Sequence, residues 1–563
     1  MRKKTLADLK YYKELFILLF VTAVVILLYM PRNGIPVPER DGDTYAHLLR
    51  FEMFFKTGVF KEIIFPFANY PFGEAWHYTR IFDLVNLVLI YPFTLFSDFD
   101  TVFPVFSSII PMIFYLFSGM FLWYGLKPFK CSFIVATLAF VLAPFVVERF
   151  LFGVFDHHFL EMFFLCGAIA CALRYFKQKT RNFLCFTGLF CALMFWTSIE
   201  GFFISLCFQA AFFLIYLAKK ETIKNLIIFQ GVFSLACLLF LMINPPYEGF
   251  FFVELGRLSI FYVTFNFWVL ATFLCLFLVP QKTGLKLLVP AVFGAAFVYL
   301  FKDGLSLQLM PPSLYEQWYW QLKDVQSVFI ASFFSIFFYV PVFILSYFCS
   351  DFKKPHWIFL ITGLAVFWVL ALFHVRFAPF LSIFCIFSLA LCFTEKTKKR
   401  DLVVALLLVF VFPSVAPRVA ARYYAPPPKR MKPWTVLPYL EQTAKEGSIL
   451  SDLDPAMYFA YYTRRPVTGW HFYRNPQGLL YYYEIFSSTN SMRVKSLLLE
   501  KDVRTIIVRR TPTLAVDPFT RIQFWYVLQE SKRLPSYLKP VPLPPEISVD
   551  WLMFEVLRET NQD

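Results

Sequence analysis

Charge is scarce in this sequence. Of 563 residues, 16% are Asp, Glu, Lys or Arg, while 59% are hydrophobic. Soluble domains carry about 25% charged residues. A soluble globular enzyme is therefore excluded, and so is a disordered chain, which would be poor in apolar residues. Glycine is also sparse, with 20 residues and no GxGxxG or P-loop pattern among them. The chain thus lacks the backbone cradle that nucleotide phosphates need. Cysteine is absent before Cys131 and after Cys392. The 11 cysteines between lie in or beside apolar stretches without zinc-site spacing, so they read as small buried hydrophobes. No disulfide can hold the polar C-terminal part.

What is abundant is phenylalanine, 76 residues, in a chain of mean hydropathy +0.60. This composition predicts a polytopic α-helical membrane protein. The excess of 53 Lys+Arg over 38 Asp+Glu falls mostly in short loops between apolar runs. Membrane topology explains such a distribution better than nucleic-acid binding does.

Fourteen apolar stretches are long enough to consider: 15–30, 81–97, 103–124, 131–149, 158–175, 182–198, 201–218, 224–243, 258–279, 286–301, 326–349, 356–374, 377–394 and 401–415. The first follows Met-Arg-Lys-Lys and precedes Pro31-Arg32-Asn33 rather than a small-residue cleavage site. It reads as an uncleaved helix with a cytoplasmic N-terminus. If 81–97 belongs to an outer loop, every basic loop falls inside: Lys127/Lys130, Arg174/Lys177/Lys179/Arg181, Lys219/Lys220/Lys224, Lys282/Lys286, Lys353/Lys354 and Lys396/Lys398/Lys399/Arg400. The positive-inside rule then selects thirteen spans and puts the C-terminus outside. The expected organisation is a membrane domain, 1–415, with outer loops 31–102, 150–157 and 302–325, and an extracytoplasmic domain, 416–563. Pro426-Pro427-Pro428 opens the latter. Strand-like 447–450 and 505–508 alternate with helix-like 435–445, 455–463 and 492–501, which predicts a small α/β domain.

Several ionisable residues share the outer face without having been used to choose the topology. Asp41-Gly42-Asp43 begins Asp-Gly-Asp-Thr-Tyr-Ala-His47, a solvated acidic turn or a site for a hard cation. Asp156-His157-His158 precedes Glu161 by a helical turn, a set that suits a divalent ion, although acidic residues also simply complement a helix N-terminus. Glu316 follows Ser313-Leu-Tyr among aromatic residues suited to the membrane interface. Arg376 sits between two spans, where a cation needs an anionic partner such as a lipid phosphate, or snorkels to the surface. A metal site beside an arginine suggests chemistry on a lipid-linked phosphate.

This arrangement resembles the catalytic subunit of oligosaccharyltransferases, the GT-C family that moves a glycan from a polyprenyl-pyrophosphate carrier to asparagine. The resemblance covers roughly 35–470. It implies a GT-C fold with thirteen transmembrane helices and a C-terminal extracytoplasmic α/β domain. It also implies a divalent metal, Mn²⁺ or Mg²⁺, held by Asp43, Asp156, His158 and Glu316. His158 stands where better-known members carry an acidic residue, and Asp41, His157 and Glu161 are supporting candidates. His77 lies in Trp76-His-Tyr-Thr-Arg-Ile-Phe-Asp83, which is similar to the Trp-rich stretch of the family's first loop. Asp43 and Glu316 would act on the acceptor, Arg376-Phe377 would contact the donor pyrophosphate, and Asp454 would bind the acceptor. The family's Trp-Trp-Asp signature is replaced by Asp452-Leu453-Asp454, ahead of Tyr462-Thr463-Arg464-Arg465-Pro466. The tryptophans that read the acceptor hydroxyl are missing, and Asp454 is equally placed to be a helix N-cap.

The expected function is transfer of a glycan from a polyprenyl-(pyro)phosphate carrier to a polypeptide, at the outer face of a prokaryotic plasma (inner) membrane. The alternatives are a GT-C enzyme that modifies a lipid or glycan, and a transporter or flippase. The expected partners are the lipid-linked donor, the polypeptide acceptor and membrane lipids, with no nucleic acid.

Overall fold

A computed structural model of the protein describes residues 12–24, 42–60, 64–75, 79–279, 283–306, 339–393, 433–440, 446–453, 455–470, 476–510, 523–529 and 534–558. The expected span 401–415, the first part of 326–349, and Asp41, His77, Glu316 and Asp454 lie outside the described residues. The chain divides into two compact units. One holds Met1–Pro38, Tyr78–Leu309 and Ser327–Tyr424; the other holds Glu39–His77, Met310–Gln326 and Ala425–Asp563.

The first unit is helical because its apolar runs are long and broken only by short polar or proline-bearing links. Among the described residues seven helices are long and apolar enough to cross a membrane: Phe99–Phe129, His158–Gln178, Glu200–Leu217, Ile223–Ile243, Ile260–Leu278, Pro355–Phe373 and Val375–Cys392. The protein is a multi-pass membrane protein. Arg181–Thr197, Gly284–Leu300 and Val340–Cys349 are shorter apolar helices. Ile81–Thr94 has 14 residues, a length of about 21 Å, against a hydrocarbon core of about 30 Å.

The stretch 131–149, expected as one span, is broken. Phe133–Leu142 ends at Ala143, which is extended with φ −75° and ψ 102°, and Pro144–Val147 begins anew. Proline lacks an N–H and drives the residue before it out of the α region.

Helices pack closely where side chains vanish. A Cβ on Gly125 would lie 2.7 Å from the Cα of Ala170, so only glycine lets the Phe99–Leu126 and His158–Gln178 helices meet there. The His158–Gln178 helix is central, with 89% of its apolar window buried against 39% for Ile260–Leu278. The basic links also end helices. Lys130, Lys179 and Lys219 all adopt positive φ, between 56° and 58°, and Lys179 donates its N–H to the Tyr175 carbonyl at 2.7 Å. Cations at helix C-termini offset the dipole.

The second unit contains all the named strands: β1 (Ile64–Phe65), β2 (Glu74–Ala75), β3 (Ser448–Ser451), β4 (Val503–Arg509), β5 (Leu538–Pro540) and β6 (Trp551–Val556). β1 and β2 pair antiparallel, and the other four form a sheet of order β3-β4-β6-β5. β3 and β4 run parallel, which requires the long helical crossover between them; β6 is antiparallel to both its neighbours. That crossover carries Ala456–Thr463, Pro476–Ser487 and Ser491–Glu500. The last begins at Asn490, whose side chain accepts from the N–H groups of Met492 (3.0 Å) and Arg493 (3.2 Å). Leu450, Tyr482, Ile485, Leu497, Ile506 and Phe554 share the core.

The helix Gly42–Thr57, early in sequence, packs in this unit with residues 456–464. The Tyr45 ring lies 4.8 Å from that of Tyr458 and 5.9 Å from that of Tyr462, and Glu52 pairs with Arg464 at 2.8 Å. Val467 donates to the Phe67 carbonyl at 2.9 Å, and its own carbonyl accepts from Tyr70 at 3.2 Å. The unit therefore follows packing across the sequence rather than a single boundary at 416.

Candidate metal centre and a neighbouring ion-paired arginine

The link ahead of the His158–Gln178 helix is irregular and buried. Gly153 turns it with φ 80° and donates to the Ser108 carbonyl at 3.0 Å. Phe155 then wedges between Phe82 (4.9 Å) and Phe103 (5.8 Å). These apolar anchors hold Asp156 and His157, 1% and 0% exposed, just where the helix starts. Burying such groups is costly unless they are paired or bind an ion.

They are paired. His157 Nδ1 contacts Asp156 Oδ1, and His158 Nε2 lies 3.6 Å from Asp156 Oδ2. One turn on, Glu161 Oε2 meets His158 Nδ1 at 2.6 Å, the i,i+3 relation that places both on one helix face. The other Glu161 oxygen accepts from the Ser198 hydroxyl. One donor atom from each of His157, His158 and Glu161 lies within 4.8 Å of the others. Two imidazoles and a carboxylate, with a second carboxylate on Asp156, fit a divalent transition ion such as Mn²⁺. His157 and Glu161, supporting candidates on sequence, are thus brought together with Asp156 and His158.

Arg376 lies in the 3-10 turn Val375–Phe377. Its Nη2 pairs with Glu200 Oε1, the guanidinium side chain being 32% exposed and the carboxylate 3%. The chain itself thus supplies Arg376 with an anionic partner, Glu200, other than the expected lipid phosphate. Glu200 opens the Glu200–Leu217 helix, two residues after Ser198. A second buried polar group was not anticipated. Arg80 pairs with Asp83 at 2.9 Å and donates its backbone N–H to Asn244 Oδ1 at 2.7 Å; Arg257 donates to the Asn244 carbonyl at 3.0 Å. Its sequence signal is charged or amide residues at the ends of apolar runs, too common to single out.

In the other unit, Asp43 stands in the first turn of the Gly42–Thr57 helix, half-buried. Asp452 and Leu453, in the positions of the missing tryptophans, point inward. Asp452 is 3% exposed and its Oδ2 accepts the Arg509 N–H at 3.0 Å, while Leu453 joins the core.

Neither a protein-family model nor a curated protein sequence matches the chain. Solved structures do. The archaeal oligosaccharyltransferase AglB from Archaeoglobus fulgidus, in complex with an inhibitory peptide and a dolichol-phosphate, matches with a TM-score of 0.66 at 15% identity, over 89% of this chain and 70% of that one. The chain shares the fold of that oligosaccharyltransferase. An Archaeoglobus fulgidus oligosaccharyltransferase tethered with an acceptor peptide containing the NVT sequon matches at 0.65 and 14% identity over 89% and 69% of the two chains. Its complex with Zn and sulfate matches at 0.61 and 16% over 88% and 68%. At such identities the likeness to the oligosaccharyltransferase is one of fold, and the chemistry rests on this chain's own side chains.

Proposed function

We propose that this chain is a metal-dependent GT-C glycosyltransferase that moves a glycan from a polyprenyl-(pyro)phosphate carrier to a protein acceptor. The observation that carries the reading is the Asp156/His157/His158/Glu161 donor set, in a fold whose solved representative was captured with a dolichol-phosphate and with an acceptor peptide. The proposed setting is the outer face of a plasma membrane, with thirteen spans, a cytoplasmic N-terminus and an extracytoplasmic C-terminal domain, as the loop charges support.

Asp156, His157, His158 and Glu161 would hold the ion, which when bound supplies Lewis-acid stabilisation of negative charge. Arg376 acts on the departing (pyro)phosphate. As the sugar C1–O bond breaks, the leaving oxygen gains charge, and a fixed, part-exposed guanidinium stabilises it most at that point. Asp43 and Glu316 are proposed as carboxylates that bind and polarise the acceptor nucleophile and take part in holding the ion, and Asp454 as an acceptor contact. Displacement by direct attack of the acceptor inverts C1.

A second reading, transfer to a lipid or glycan, has one specific support. Asp452 and Leu453 are turned into the domain and used for its packing, so they do not replace the family's acceptor-reading tryptophans. The test of both readings is transfer from a polyprenyl-pyrophosphate glycan extract to a peptide panel, with Mn²⁺ or EDTA, using wild type and Asp43→Ala. Metal-dependent glycopeptide lost in Asp43→Ala establishes the first reading. Donor consumed onto lipid without glycopeptide establishes the second. An intact donor under every condition overturns both.

A further inference from the structure

One three-residue corner touches both halves of the candidate site. Ser198, Ile199 and Glu200 join the helices Arg181–Thr197 and Glu200–Leu217. Ser198 donates to Glu161 Oε1, whose partner oxygen is held by His158 at 2.6 Å, so the Glu161 carboxylate is fixed at both ends. Two residues on, Glu200 grips one edge of the Arg376 guanidinium and leaves about a third of that side chain (32%) exposed. Both corner side chains are buried, at 5% and 2% exposure. The backbone of the corner is itself fixed. Ser198 donates to the Met194 carbonyl at 3.2 Å, Gly201 to that of Ser198 at 3.2 Å, and Phe202 to that of Ile199 at 2.9 Å. A Cβ on Gly201 would overlap the backbone of Met194 and Phe195.

We infer that Ser198 and Glu200 are positioning residues that set the metal centre and the phosphate-binding arginine from a single rigid turn. The inference rests on the metal-and-phosphate reading above and adds which residues orient its parts. A carboxylate that bonds only to its ion rotates freely; a hydroxyl on its second oxygen removes that freedom, as outer partners of metal ligands generally do. A buried carboxylate paired with Nη2 likewise fixes the orientation of the guanidinium. A guanidinium fixed in this way offers its remaining N–H groups to a phosphate without first losing side-chain freedom.

Two binding measurements on the detergent-purified full chain test this without any transfer activity: Mn²⁺ titration by paramagnetic resonance, and farnesyl pyrophosphate titration in metal-free buffer. Ser198→Ala is expected to weaken Mn²⁺ about 10-fold, with Ser198→Thr restoring it and farnesyl pyrophosphate affinity unchanged. Glu200→Gln is expected to weaken farnesyl pyrophosphate about 10-fold with Mn²⁺ affinity unchanged, and Glu200→Asp to recover part of the loss. Mn²⁺ affinity unmoved in Ser198→Ala, or no Mn²⁺ binding by wild type, overturns the Ser198 assignment. Farnesyl pyrophosphate bound equally or more tightly by Glu200→Gln shows that Glu200 only competes for the arginine, and overturns that assignment. Should Ser198→Ala fail to fold by thermal melting, Ser198→Cys replaces it. Split binding effects in a protein that transfers no glycan would sink the transferase reading alone.

Discussion

Arg376 and Glu200 form an ion pair of unequal exposure, the carboxylate 3% and the guanidinium 32%. Breaking a fully buried pair by removing one partner costs about 3–5 kcal/mol, and the part-exposed arginine brings this to roughly 1–3 kcal/mol. Arg376→Ala should therefore lower the melting temperature of the full chain and raise the donor KM at least tenfold. Arg376→Lys should keep most of the stability but little of the donor affinity, because an ammonium lacks the planar fork. A donor KM unchanged in Arg376→Ala would remove the arginine from the donor site.

The donor set predicts a metal dependence that can be read directly. EDTA should abolish transfer and Mn²⁺ restore it. His158→Ala and Glu161→Ala should each weaken Mn²⁺ by at least about 10-fold in a direct titration. Full affinity in both variants would show that the cluster at the start of the His158–Gln178 helix is a structural ion-pair network.

Lys501 predicts a pH effect in the second unit. Its ammonium is fully buried between the rings of Phe72 (4.2 Å) and Tyr481 (4.0 Å). Burial depresses it to about 8, with Glu500 opposing. The unfolded chain, titrating near 10.5, then binds more protons than the folded one between about pH 8 and 10.5. Stability should rise with pH across that window, by up to about 3 kcal/mol from this group, and the penalty should be complete below pH 8. Melting curves of wild type and Lys501→Met should converge or cross as pH rises. A difference that stays constant would mean that the two rings hold the cation as well as water does.

Asp452→Ala removes the acceptor of the Arg509 N–H. It should destabilise the second unit by about 1–3 kcal/mol and leave the ranking of acceptor peptides unchanged. A shifted ranking would return this position to acceptor recognition.

Gly125→Val should lower the melting temperature by several degrees, because the Ala170 backbone occupies the space a side chain needs. An unchanged melt would show that these two helices separate at little cost.

Part of this molecule was legible without coordinates. The apolar runs and the helix-like and strand-like segments of the tail depend on neighbours a few residues apart. Expected 447–450 and 505–508 accordingly coincide with β3 and β4, and 455–463 with Ala456–Thr463. His158 and Glu161 are legible as a pair, since a helix places i and i+3 on one face whatever surrounds it, and Asp156 by its nearness in sequence. The break ahead of Pro144 is hidden by the high hydropathy on either side of it.

What only the tertiary structure decided were pairings across long separations. No spacing rule connects Glu161 to Ser198, Glu200 to Arg376, or Tyr45 to Tyr458. Those contacts depend on which helices pack side by side, and packing is set by shape at residues such as Gly125 and Gly201. The sequence by itself determined a multi-pass helical chain with carboxylates, histidines and an arginine at helix ends, because composition and periodicity report local burial. It did not determine that Arg376 already has a partner in Glu200, because an ion pair between distant residues exists only once the chain is folded.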